Sequence, residues 1–71
     1  MVELRPIQSD AITAAGYDGT RRTLAVRYES GAVYEYFDVD PELYDELLGA
    51  QPHPWSRVGE RVKSHRFRQL E

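Results

Sequence analysis

The sequence predicts an α+β domain in which an antiparallel three-stranded meander carries two helices packed on one face. Apolar residues alternate on both sides of a short turn at residues 29–31, which is typical of a β-hairpin. After Asp40, apolar residues recur at helical spacing. The chain has 71 residues, enough for one domain with a single small core, so we treat residues 1–71 as that domain.

The hairpin at residues 24–36 has two possible registers, and the apolar pattern distinguishes them. A two-residue turn at residues 30–31 would place Val26 opposite Glu35. A three-residue loop at residues 29–31 instead gives the pairs Leu24–Tyr36, Val26–Tyr34 and Tyr28–Ala32. This second register gathers the apolar side chains on one face, and a slip of one residue would reverse every side chain, so we predict it. Gly31 then closes the loop at a positive φ.

Turn and helix signals place the remaining elements. We predict a first strand at residues 12–17 and a turn at residues 18–20, followed by hairpin strands at residues 21–28 and 32–39. Asp40 is predicted to cap a helix that starts at Pro41 and ends at Gly49. A second helix is predicted at residues 55–64, where Gly59 indicates a close approach of two backbones.

The ends of the chain carry weaker signals. Residues 1–9 are predicted to be a lead-in without regular structure. Residues 67–70 are predicted to form either a fourth short strand or a tail packed on the sheet.

The predicted core lies between the sheet and the helices. Its members are Leu24, Val26, Tyr28, Tyr34, Tyr36, Leu43, Leu47, Val58 and Val62, with one face of Trp55 against them. Tyrosines on a sheet can also stack unpaired nucleic-acid bases. The hairpin register favours the core for these tyrosines, with their hydroxyls reaching the rim.

Charge is segregated along the chain, although the net charge is only −3. Residues 28–56 contain seven acids and no Lys or Arg, whereas residues 57–70 contain five bases and one acid. Opposite charges on two helices can simply face water or each other. The alternative is a basic face for an anionic partner, formed by Arg57, Arg61, Lys63, Arg66 and Arg68.

No enzyme, metal or cofactor motif is present, so we expect no catalytic activity and no bound cofactor. His53 and His65 are predicted at opposite ends of the second helix, too far apart to share a metal ion. The chain has no cysteine, no membrane-spanning apolar run and no secretory signal in its first residues, so we expect a cytoplasmic protein.

Several short motifs resemble the KTSC domain, which is named for the C-terminal domain of some lysyl-tRNA synthetases and also occurs alone as a small bacterial protein. The resemblance covers about residues 9–50, and its hallmark is the Tyr-x-Tyr of Tyr34 and Tyr36. The matching motifs are Gly-Tyr-Asp at residues 16–18, Thr-Leu-x-Val-x-Tyr at 23–28, Ser-Gly at 30–31, Val-Tyr-x-Tyr at 33–36, Val39, Pro41, Tyr44 and Ala50. Gly31, Tyr34 and Tyr36 are predicted to have structural roles.

The resemblance implies an RNA-binding role, because of the association with a synthetase. Our first functional hypothesis is therefore a non-catalytic module that binds RNA phosphate through the five basic residues of the C-terminal helix and tail. The alternative is a protein-interaction module without a nucleic-acid role, whose partner docks on an exposed sheet edge or on the acidic helix.

Overall fold

Five antiparallel strands form one sheet, and two helices cover one of its faces. The computed structural model describes residues 2–9 and 11–71. In chain order the elements are β1 (Arg5–Pro6), β2 (Ile12–Asp18), β3 (Thr23–Tyr28), β4 (Val33–Tyr36), α1 (Pro41–Gly49), α2 (Pro54–Lys63) and β5 (Phe67–Gln69). The strands lie side by side in that same order. The α+β class is confirmed, and residues 2–9 and 11–71 contain five strands where three, or four, were predicted.

The predicted hairpin register between β3 and β4 is confirmed. Val26 pairs with Tyr34, and Leu24 pairs with Tyr36. The Tyr28 amide donates to the Ala32 carbonyl at 2.8 Å, which closes a loop of three residues. Gly31 has a φ of 94°, in the region that favours glycine, as predicted.

The predicted core is confirmed between the sheet and the helices. Leu24, Val26, Leu47 and Val62 are fully buried. The core also includes Tyr36, Leu43 and Val58, and partly buried Tyr28, Tyr34 and Trp55 pack against it. The tyrosines therefore have the mixed position expected for side chains with an apolar ring and a polar tip.

The second face of the sheet is also covered, which the sequence analysis missed. The predicted lead-in contributes β1, which pairs with β2, and Val2 is buried. The N-terminal segment passes so close to Gly16 that only glycine fits there. Ala25, Val33 and Glu35 are consequently buried on this face, although the hairpin pattern alone would leave them exposed.

Four local predictions need correction. The predicted strand at residues 21–28 begins only at Thr23, because Arg22 has a φ of 51° in the preceding turn. The predicted strand at residues 32–39 spans only Val33–Tyr36, because Asp38 has a φ of 57°. Asp40 is the N-cap residue of α1, but its carboxylate pairs with Arg22 and makes no capping bond. Gly59 accommodates the ring of Trp55, three atoms of which would lie 3.1 Å from an added Cβ, and not a neighbouring backbone.

Neither helix is long and apolar enough to cross a membrane, as judged over residues 2–9 and 11–71.

Candidate binding site: an aromatic groove beside an edge strand

A cluster of aromatic side chains lies on the helix-covered face of the sheet. Cross-strand pairing brings the rings of Tyr28 and Tyr34 together edge to face at 5.4 Å, and Tyr34 stacks on Tyr36 at 6.1 Å. From α2, Trp55 meets Tyr28 edge to face at 5.5 Å. The Tyr-x-Tyr of β4 therefore points both of its rings to this face, since alternate residues of a strand share a face.

Two tyrosine hydroxyls meet within this cluster. The hydroxyl oxygens of Tyr28 and Tyr36 lie 2.7 Å apart and share a hydrogen bond. Burial raises the pKa of both phenols above the usual 10.0, and the hydrogen bond to Tyr28 raises the pKa of Tyr36 further. Both phenols therefore stay protonated at physiological pH and act as neutral hydrogen-bonding groups.

Beside the cluster, an open groove of about 690 Å³ runs toward β5. Its floor is formed by Tyr28, Tyr34 and Tyr36, and Phe67 of β5 forms one wall. The Phe67 ring lies 5.5 Å from that of Tyr34 and is 58% exposed. The groove is therefore an apolar surface open to a ligand, which is the usual character of a small binding site.

The charges at the groove are nearly balanced. Lys63, at the end of α2, lies at the rim, and Glu29 of the hairpin loop contributes the opposite charge. Lys63 has no ion-pair partner among residues 2–9 and 11–71. The groove thus offers one available cation and a large aromatic area.

The structure does not bring the five candidate phosphate-binding residues together on one face. Arg61 pairs with Glu46 of α1. Arg66 pairs with Asp38 at 3.4 Å. Arg68 pairs at 2.8 Å with Glu35, on the sheet face opposite the groove. Arg57 lies near the C-terminal end of α1, and Lys63 alone lines the groove.

Phe67 is the candidate functional residue that sequence reasoning passed over. A signal existed, because Phe67 stands between Arg66 and Arg68 in a segment predicted as a strand. Alternation along a strand places a central aromatic residue on the opposite face from its two neighbours. The sequence did not show that this face continues into the tyrosine cluster.

The two histidines lie at opposite ends of α2. In the described part of the chain, no group of three or more His, Asp or Glu side chains is arranged to hold a metal ion. His53 precedes α2, whereas His65 follows it and contacts the Phe37 carbonyl through Nδ1 at 3.0 Å.

Comparison with known proteins identifies the family. The model of the KTSC domain matches residues 8–53 of this chain. The chain belongs to the KTSC domain family. A curated protein from Tsukamurella paurometabola is 48% identical over 48 residues, which span 68% of this chain and 72% of that protein. An uncharacterized protein from Stutzerimonas stutzeri is 41% identical over 44 residues, 62% of each chain.

The KTSC fold extends beyond the matched segment. The crystal structure of a KTSC domain protein from Yersinia pestis superposes with a TM-score of 0.86 and covers 100% of both chains at 22% identity. The fold is therefore shared over the whole chain, including α2 and β5, which follow the segment matched by the family model. The aromatic groove combines the matched hairpin with residues from this later part.

The KTSC motif Gly-Tyr-Asp has a structural explanation in this chain. Gly16 admits the N-terminal segment. The Tyr17 ring stacks on Tyr44 of α1, and its hydroxyl donates to the Val39 carbonyl at 2.5 Å. The Asp18 carboxylate accepts from the Thr20 amide at 3.0 Å and so closes the turn. These three residues connect β2 with the N-terminal segment, with α1 and with the turn that follows β2, and they are not part of the groove.

Proposed function

We propose that this KTSC domain is a non-catalytic binding module whose ligand is a segment of another protein held in the aromatic groove. The observation that carries the proposal is the exposed ring of Phe67 beside the groove formed by the tyrosines. Exposed aromatic side chains next to a concave apolar surface are frequent anchors of protein interfaces.

The balance of charge favours a protein segment over a nucleic acid. Phosphate binding needs several cations on one surface, because each neutralised phosphate contributes separately to affinity. The five candidate bases do not share one surface. Arg68 lies with Glu35 on the sheet face opposite the groove, and only Lys63 lies at the groove. A groove with one lysine and one glutamate suits a ligand of mixed or low charge.

RNA is the second candidate. Arg57 and Lys63 have no ion-pair partner within residues 2–9 and 11–71, and Phe67 offers a face on which a base can stack.

For either ligand we propose a cytoplasmic location. The chain has no cysteine and therefore forms no disulfide, which fits a reducing compartment.

Selection from a displayed library of random peptides tests the proposal. Recovered peptides are synthesised, and their affinities are measured for the parent, for Phe67→Ala and for Leu70→Ala. Leu70 is the matched control, because it is an apolar residue of the same tail that lines the opposite face of the sheet. We expect Phe67→Ala to weaken binding by about tenfold or more, the loss of a small hot spot. Leu70→Ala should bind as the parent does.

A mixed pool of single-stranded RNA, titrated with salt, is the competing arm. Each phosphate contact should add about 0.7 to the slope of log affinity against log salt. RNA retention that depends on salt and on Phe67, without any peptide recovered, would replace the peptide by RNA as the ligand. If the peptides bind Phe67→Ala as tightly as they bind the parent, the groove is not the binding site.

A further inference from the structure

The outer edge of β5 presents unpaired backbone groups. The Phe37 amide donates to the Arg66 carbonyl at 2.8 Å, and the Leu70 amide donates to the Val33 carbonyl at 2.7 Å. Hydrogen-bonded and non-hydrogen-bonded pairs alternate in an antiparallel ladder. The intervening pairs Tyr36–Phe67 and Tyr34–Gln69 therefore turn the N–H and C=O groups of Phe67 and Gln69 away from β4. These groups face the open edge of the sheet.

The two edges of the sheet differ in how well they are protected. At the far edge, β1 has only two residues, and one of them is Pro6, which lacks an amide hydrogen. At the near edge, all three residues of β5 are exposed. In the described part of the chain no strand lies beyond β5. The β5 edge is therefore the one able to accept another strand.

The side chains of β5 give this edge two distinct faces. Phe67 and Gln69 lie on the groove side, where Phe67 contacts Tyr34 and the Gln69 side chain accepts from the Tyr34 hydroxyl at 3.3 Å. Arg68 lies on the other side with Glu35. Arg66 is two residues before Arg68 and shares its side, because side chains alternate along a strand.

Both arginines have guanidinium surface left for another carboxylate. The Arg66 side chain is 82% exposed, and its ion pair with Asp38, itself 77% exposed, is long and contributes little. The Arg68 side chain remains 63% exposed while one of its five donors binds Glu35. An added strand would meet two cations on this side of the edge.

We propose that an extended acidic segment of a partner protein adds to β5 as a sixth strand. Its backbone pairs with Phe67 and Gln69, an apolar side chain next to Phe67 enters the groove, and acidic side chains lie opposite Arg66 and Arg68. The residue opposite Arg68 occupies a non-hydrogen-bonded site, where cross-strand side chains approach most closely. The inference rests on the proposed function, since it specifies how the segment in the groove is held.

A second copy of this chain is a poorer occupant of the same edge. Antiparallel pairing of two β5 strands centred on Arg68 would set the two Arg68 side chains directly opposite each other. Like charges in that position destabilise a strand pair. An acidic strand removes this repulsion and replaces it with attraction.

Two synthetic peptides test the inference by fluorescence anisotropy, one alternating glutamate with valine and the other alternating lysine with valine. We expect the glutamate peptide to bind and the lysine peptide to bind at least about tenfold more weakly. Gln69→Pro removes the outward amide without touching a backbone hydrogen bond to β4 and should weaken binding roughly 2- to 10-fold. Gln69→Ala, which also loses the side-chain bond to Tyr34 but keeps the amide, is its matched control and should weaken binding less than Gln69→Pro, provided that circular dichroism shows both variants folded.

Charge reversal at Arg66 is the second test. Arg66→Glu should weaken binding of the glutamate peptide and strengthen binding of the lysine peptide. Arg57→Glu, the same charge change on α2, should leave the binding of both peptides unchanged. Arg66 is preferred to Arg68, because Arg68 neutralises the buried Glu35.

The outcomes separate this inference from the proposed function. Library peptides that require Phe67 but ignore both Gln69→Pro and Arg66→Glu would overturn strand addition and leave the groove in place. If the parent binds no peptide at all, both strand addition and the proposed function are overturned. Sedimentation showing a dimer that Gln69→Pro dissociates would make a second copy the occupant and overturn the acidic partner.

Discussion

The carbonyl oxygen of Glu3 lies directly over Gly16, so that a Cβ atom added at Gly16 would be 1.9 Å from it. No side chain can occupy that space unless the backbone of one segment moves. The N-terminal segment is therefore held against β2 by a contact that only glycine permits. This contact covers the second face of the sheet and buries residues that would otherwise be exposed.

Gly16→Ala should destabilise the domain by about 1–3 kcal/mol, the usual cost of forcing an atom into a packed site. Urea unfolding followed by circular dichroism measures the change. Gly49→Ala is the control, because nothing lies within 4 Å of a Cβ there and alanine favours a helix. The same Gly16→Ala change in a chain that lacks residues 1–4 should cost little, since the clashing carbonyl is gone. An equal cost in both chains would contradict the contact between the N-terminal segment and Gly16.

Gly31→Val should destabilise the domain by more than about 1 kcal/mol, because a β-branched residue is strongly disfavoured at positive φ. Nothing lies within 4 Å of an added Cβ at Gly31, so the cost is one of backbone conformation and not of packing. Gly31→Asn has similar space and should cost less, since asparagine tolerates positive φ better. Equal stability of the Val and Asn variants in urea unfolding would show that the loop does not impose this conformation.

Arg68→Ala should destabilise the domain by roughly 1–2 kcal/mol, because Glu35 is only 4% exposed and would lose its cation. The value lies below that of a fully buried pair, since Arg68 itself is largely exposed. Glu35→Gln in the Arg68→Ala background should recover part of the loss by removing the uncompensated charge. Thermal unfolding of the single and double variants gives the coupling. Additive effects would contradict a specific interaction between the two residues.

The domain should lose stability as pH rises above 10, in part through Tyr36. Burial holds the pKa of Tyr36 above its usual 10.0, so the folded state retains a proton that the unfolded chain releases. This contribution is complete below pH 10 and is lost above it, at up to about 1.4 kcal/mol per pH unit for one group. Urea midpoints measured across this range should fall less steeply for Tyr36→Phe.

Tyr28 and Tyr17 also have raised pKa values, chiefly through burial, so Tyr36→Phe should reduce the alkaline loss without abolishing it. Ultraviolet titration of phenolate provides an independent readout. If Tyr36→Phe removes the absorbance change of one phenol near pH 10, this hydroxyl is not shielded in the folded state.

Most of the structure around the β3–β4 hairpin could be predicted from the sequence, because the patterns that indicate it lie within short segments. The register of β3 and β4 follows from which side chains are apolar, and Gly31 follows from the loop length. The limits of α1 follow from Pro41 and Gly49. The strand at Phe67 was foreseen only as one of two alternatives, since three residues carry little pattern.

The candidate site was much less predictable. Acids and bases are segregated along the sequence, but in the fold Arg68 and Lys63 lie on opposite faces of the sheet. Phe67 becomes part of a site only through Tyr34 and Tyr36, which are more than 30 residues earlier in the chain. No local pattern could connect them.

The fold class, the hairpin register, the limits of α1 and the family can be inferred from the amino-acid sequence, because each depends on neighbouring residues or on short motifs. The three-dimensional fold was needed to show that the N-terminal segment crosses Gly16, that Glu35 is buried with Arg68, and that Phe67 forms a wall of the groove beside β5. These features join segments distant in sequence, and their geometry is fixed by sheet order and packing, which leave no periodic trace in the chain.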